Sequence, residues 1–295
     1  MTGVDAPSLT PNVANLQHVA SFMMEGQKGI LDYVMAVARI QSDPQSIGLD
    51  GFRGHIDPFE YLPPAFKTAV LAAQDHSQTY FPNVMIPLSN WGSTTVPGFS
   101  RDFNETTESI LKAIRSVNGV PTPQQRKEVS DGFTAIEHGL ARVESEFSSI
   151  RTTTLTFLDS MRADYRVLMS GDNTIENARK ALEQRFLDEE MKYVGTAGGL
   201  GVAKIIQDVG GRYSAMLDEV KQQVHDAGYA SAQAASSVSN LQEMMTELRD
   251  KAGSVSMFVI KAENANFASS VQRIDLRAAA AAWQQFADFT KAGLY

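Results

Sequence analysis

The side chains able to do chemistry are few and scattered. Five histidines, His18, His55, His76, His138 and His225, show no HExxH motif and no i, i+4 pairing, the spacing that puts two imidazoles on one helix face around a zinc ion. The stretch "FLDEEM" gathers Asp188, Glu189 and Glu190, carboxylates of the kind that hold hard cations or exchange protons. Consecutive helical residues point in different directions, so these three diverge and read as a solvated face. "GTAGGLGVAK" is glycine-rich, yet it lacks the GK[ST] ending of a phosphate loop and the GxGxxG of a dinucleotide fold, and no strand precedes it. There is no cysteine, so neither a disulfide nor a thiolate site exists. No catalytic set, cofactor or metal is expected.

The elements that carry these residues are helices. After "GVPTPQQ", Val129, Phe133, Ile136, Leu140, Val143, Phe147, Ile150, Phe157 and Met161 follow alternating steps of four and three, with Thr154 as the polar break. Such a seam predicts one helix from near Pro123 to about Met169, roughly 70 Å long. A second seam runs through Tyr213, Leu217, Val220, Val224, Ala227, Ser231, Ala234, Val238, Leu241, Met245, Leu248, Ala252, Val255, Val259 and Ala262. It predicts a helix of roughly 75 Å. Matched seams imply an antiparallel hairpin, and the small residues of "AGYASAQAASS" imply close helix approach. Residues 9–42 form an amphipathic helix that "SDPQ" stops. "GLDGFRGHIDPFEYLPP" is an irregular connector. A further helix starts near Pro64 and is interrupted around Pro82 and Pro87, a separate helix spans Phe99 to Val117, and an alanine-rich helix anchored by Trp283, Phe286 and Phe289 closes the chain. "TTT" at 152–154 and "AAAAA" at 278–282 read as helix surface and close packing. No strand pattern is found.

Composition narrows the partners. Against 34 acidic residues stand 26 basic ones, a net charge of -8 without a basic block, which argues against nucleic acid and against attraction to anionic lipid. Membrane contact must then be hydrophobic. No run reaches the roughly 18–20 apolar residues of a spanning helix. The N-terminus lacks a basic region followed by an apolar one, so no cleaved secretory signal is expected and any export takes another route.

One segment stands apart. In "YVGTAGGLGVAKII", eleven residues from Tyr193 to Ala203 carry no charge and four are glycine. The residues allow two readings: a glycine-rich turn, or a segment that changes environment. Glycine costs about 1 kcal/mol per helical position in water, whereas small residues favour close packing in lipid. In the second reading Tyr193, Val194, Gly195, Ala197, Gly198, Gly199, Leu200, Gly201, Val202, Ala203, Ile205 and Ile206 touch membrane or a partner. Ile175, Ala178, Leu182 and Phe186, on one face of the preceding helix, shield them beforehand. As a helix, an eleven-residue run is about 16 Å, half of a hydrocarbon core of about 30 Å.

The layout resembles the cytolysin A superfamily of α-helical pore-forming toxins, particularly the components of haemolysin BL, non-haemolytic enterotoxin and the Mak-type cytotoxins. The resemblance is carried by the long first helix, the broken segment "YFPNVMIPLSNWGSTTVPGFSRDFNETTESILKAI", the heptad hairpin with an apolar insertion at its tip, and the closing "IDLRAAAAAWQQFADFTKAGLY". It implies an all-α, elongated bundle of about five long helices as a tail, formed by residues 1–169 and 213–295, and a head at 170–212. It further implies release of the head on contact with a target-cell membrane, then oligomerisation with homologous components or further copies. The apolar run departs from the family in being short. This favours an accessory component, inserting to about one leaflet, over an autonomous pore former. The other function class is a structural coiled-coil protein of a phage or secretion apparatus, in which the glycines only make a turn.

Overall fold

The computed structural model describes residues 8–40, 57–171, 174–196 and 199–293. The chain is all-α, and no strand occurs among the described residues. Nine α-helices are described: α1 (Val13–Ile40), α2 (Pro64–Gln78), α3 (Ile86–Asn90), α4 (Val96–Arg115), α5 (Pro123–Met169), α6 (Ile175–Tyr193), α7 (Gly199–Lys261), α8 (Phe267–Gln272) and α9 (Leu276–Gly293). Both long helices follow their seams. Every seam residue of α5 is buried, Thr154 included, as is every seam residue within α7, while Ala262, one residue past its end, is partly buried. The "SDPQ" stop of α1 and most of the connector lie outside the described residues, as does His55.

Two expectations need correction. The helix expected to begin near Tyr213 starts at Gly199, so the second half of the glycine-rich stretch is helical. Likewise, the expected interruption near Pro82 is present, α2 ending at Gln78 with Thr79 in a turn, but Pro87 makes no break and the helix expected from Phe99 has no separate start. From Phe81 to Arg115 the helix continues through two π turns, Phe81–Met85 and Trp91–Thr95. Proline lacks the N–H that closes an α turn and its ring crowds the carbonyl four residues back, and a π turn relieves both by widening the helix. Val96 N–H accordingly reaches back five residues to the Trp91 carbonyl. The Gly92 carbonyl would then meet Pro97, which has no N–H to give. Thr290 on α9 donates its Oγ1 hydrogen to it instead, at 2.9 Å.

The chain divides into two compact units. The first comprises Met1–Met24, Asn83–Thr154 and Ala235–Tyr295. Its core is aromatic: Trp91 packs against Phe147 with centroids 4.7 Å apart and donates its indole N–H to the Val143 carbonyl at 3.1 Å. Trp283 meets Phe99 edge to face at 4.8 Å, a geometry that suits the ring quadrupoles. The second unit comprises Glu25–Pro82 and Leu155–Ala234. Here the small residues do bring helices together. A Cβ on Gly29 would lie 2.3 Å from the Ala230 methyl, and one on Gly26 would lie 2.9 Å from that of Ala234.

The second unit also buries a polar cluster. Asp164 of α5 is buried and accepts the Tyr33 hydroxyl of α1 at 2.9 Å. His76 of α2 places Nδ1 3.0 Å from both carboxylate oxygens. Burial first, and the Asp164 charge second, push the Tyr33 phenol far up from its ordinary value, so it stays a donor.

Candidate tip of the α6–α7 hairpin

Thr174 starts α6, its hydroxyl accepting the Asn177 N–H at 3.2 Å, the usual work of a threonine at this position. Helix α6 then folds back along α7. Lys221 bonds Glu176 at 2.9 Å, Arg179 approaches Asp218 at 3.2 Å, Ser214 donates to Glu183 at 2.6 Å, and the Phe186 ring sits where a Cβ on Gly210 would be, at 2.8 Å. These pairs fix one antiparallel register. Arg179 additionally bridges Glu176 at 3.0 Å and Glu183 at 2.6 Å. Hydrogen bonds from Lys221, then from Arg179, hold the Glu176 carboxyl down at about 2.

The apolar face of α6, Ile175, Ala178, Leu182 and Phe186, is buried. Opposite it on α7, Ala203, Ile206, Val209 and Tyr213 are buried at helical spacing. Phe186 also meets the Tyr61 ring, centroids 5.2 Å apart, from the short 3₁₀ turn Pro58–Tyr61. The covered stripe of α6 ends at Phe186.

Beyond that point the hairpin is bare. Met191 is 63 % exposed, Val194 52 % and Leu200 77 %, while Ile206 is only 1 % exposed. Tyr193, Gly195, Gly201 and Ile205 are exposed too, Val202 is half-buried and Gly199 is buried. Ala197 and Gly198 lie outside the described residues. The eleven-residue run is not one helix. Tyr193 ends α6, Gly195 turns the chain at φ +90, and Gly199 opens α7. Only glycine fits at 199, since a Cβ there would lie 2.0 Å from the Tyr193 carbonyl oxygen. The left-handed φ at Gly195 likewise lacks the penalty that a side chain would add.

The sequence reading missed Leu187 and Met191. With Val194 they form a second apolar row, at i, i+4 and i+7, and all three are exposed. The signal was legible as a spacing, but it lay outside the uncharged run. Asp188 and Glu189 find separate partners, Gln184 Nε2 at 2.9 Å and Lys192 Nζ at 2.7 Å. No group of three or more acidic or histidine side chains placed to hold a metal occurs among the described residues. Nor is any helix among them long and apolar enough to cross a membrane.

This all-helical bundle shares its fold with components of α-pore-forming toxins. Soluble SmhA of the tripartite α-pore-forming toxin Smh from Serratia marcescens matches with a TM-score of 0.61 at 11% identity, over 97% of this chain and 95% of that one. The HblL1 toxin component of Bacillus cereus matches at 0.59 and 10% identity, over 93% and 95%. Soluble AhlB of the tripartite toxin AHL from Aeromonas hydrophila matches at 0.52 and 10%, over 94% of each chain. No family model and no curated protein matches the sequence.

Proposed function

We propose that this protein is a secreted component of a multi-component α-pore-forming toxin, with residues 170–212 acting as its head and the rest of the chain as the tail. The exposed apolar tip carries the reading. Leu187, Met191, Val194 and Leu200 stand in water on a fold shared with soluble toxin components. Apolar side chains clustered at a hairpin end are the usual mark of a membrane or protein contact. The head rearranges when it meets the target-cell membrane or a partner's head, Gly195 and Gly199 serving as the repacking points. Insertion stays near one leaflet because the apolar segment is short and broken by a turn. Homologous components, and further copies after activation, complete the assembly. Neither nucleic acid nor a cofactor takes part.

The experiment is flotation of the full chain with zwitterionic vesicles, alone and with the products of neighbouring open reading frames of similar helical pattern. Vesicle association that partners strengthen is the expected result. A chain that never floats, with or without such partners, refutes the proposal.

A further inference from the structure

A second site lies in the same unit, where α5 rather than α6 faces a later stretch of α7. A cavity of about 370 Å³ opens between α5 and α7. Arg162, Tyr165 and Arg166 line it from α5, at i, i+3 and i+4; His225, Gly228 and Tyr229 line it from α7 at the same spacing. Both sets therefore face one groove.

Three observations set this groove apart from a solvated helix surface. First, Gly228 lies mid-helix, where it costs about 1 kcal/mol relative to alanine. A Cβ there would come within 3.3 Å of the Tyr165 ring, so the glycine keeps that ring in place and the groove floor open. Second, Tyr229 is 72 % exposed at the mouth, its ring set edge-on to His225 with centroids 5.4 Å apart. The His225 Nδ1 in turn lies 3.5 Å from the Tyr165 hydroxyl. Two phenol rings thus flank the opening. Third, the charges are unbalanced. Arg162 has Asp159 at 3.0 Å, but no carboxylate lies within ion-pair distance of the Arg166 guanidinium among the described residues. Like charges at i, i+4 repel on a helix, and an anion between them would reverse that cost.

We infer that this groove binds an anionic sugar unit, a hexose bearing a carboxylate or phosphate, with Arg162 and Arg166 on the anion and the Tyr165 and Tyr229 rings against the sugar's C–H face. Guanidinium groups match both oxyanions through paired N–H donors. The volume lies within the range of small-ligand sites and exceeds what a bare phosphate fills. His225 and the two phenol hydroxyls supply hydrogen bonds to ring hydroxyls. On a protein that reaches cell surfaces, such a groove would hold acidic glycans. Its occupancy does not depend on lipid.

The test is titration calorimetry of the full chain with glucuronate and glucose 6-phosphate, against glucose and inorganic phosphate. Saturation-transfer NMR on the wild type accompanies it. One site per chain is expected for both anionic sugars, with glucose and inorganic phosphate each weaker by about tenfold or more. Arg166→Gln and Tyr229→Ala should each weaken glucuronate by about tenfold, and Gly228→Val should abolish binding by filling the floor, whereas Lys112→Gln changes nothing. Circular dichroism confirms that each variant is folded; the saturation-transfer result needs no variant. Equal binding of inorganic phosphate and glucose 6-phosphate, indifferent to Tyr229→Ala, would leave only an anion site and overturn the inference. So would the absence of saturation transfer to either anionic sugar.

Discussion

Changing Leu200 to aspartate separates the soluble fold from the membrane step. In the soluble state Leu200 is 77 % exposed, so little packing is lost and stability should change by no more than about 0.5 kcal/mol. In hydrocarbon the same change replaces a favourable leucine, about -0.5 kcal/mol, by an aspartate at about +3 kcal/mol, a difference of roughly 3.5 kcal/mol. At about 1.4 kcal/mol per decade, vesicle partitioning should fall by roughly 300-fold where the side chain reaches the hydrocarbon. Ile206, six residues on and 1 % exposed, makes the opposite case. Ile206→Asp buries a charge between α6 and α7 and should unfold that hairpin. The assay is flotation across a lipid titration, with helicity and melting measured in parallel. Asn240→Asp, exposed on α7, is the control. Gln242 would be a poor one, because its Nε2 donates to Glu144 at 2.7 Å. A Leu200→Asp protein that partitions within about threefold of wild type refutes the argument for the tip, and one that melts early shows that the tip belongs to the soluble core.

Further predictions test the packing and the electrostatics. Gly29→Ala should destabilise by about 1–3 kcal/mol despite alanine's better helix propensity, because the new methyl meets Ala230 at 2.3 Å; Ala230→Gly added to it should restore the melting temperature, since that methyl is the obstacle. Asp164→Ala should cost about 1–3 kcal/mol in denaturant unfolding by leaving the buried Tyr33 hydroxyl without its acceptor, and Asp164→Asn should cost less. The folded Glu176 carboxyl, at about 2, lies below its ordinary 4.5, so its contribution is present above about 4.5 and fades as pH falls towards 2. Carbon-13 titration should place its midpoint near 2, and a midpoint near 4.5 would mean that Lys221 and Arg179 do not hold it. Pure protein should release little dye from vesicles without partner components, and strong leakage would demand a longer inserted segment than residues 193–206.

The long helices and their buried faces were written in the sequence. A heptad seam is a local pattern, and residues such as Val143 and Leu241 can be apolar at that spacing only to face another helix. Small residues at 227–237 likewise announced close approach, which Gly29 and Ala230 realise. The proline-rich path from Phe81 onward was not legible. Whether a proline breaks a helix or is absorbed by a π turn depends on who takes the freed carbonyl, and Thr290, 198 residues from Gly92, does so. Asp164 carried no signal of its own in the sequence, and its burial is explained only by Tyr33 and His76, which converge on it from two other helices. The uncharged run at 193–203 was plain in the sequence, but the register of α6 on α7 decided which of its residues are covered: Ala203 falls under the helix, Leu200 lies past its end. Exposure belongs to the pairing of two surfaces, and one strand of sequence carries only one of them.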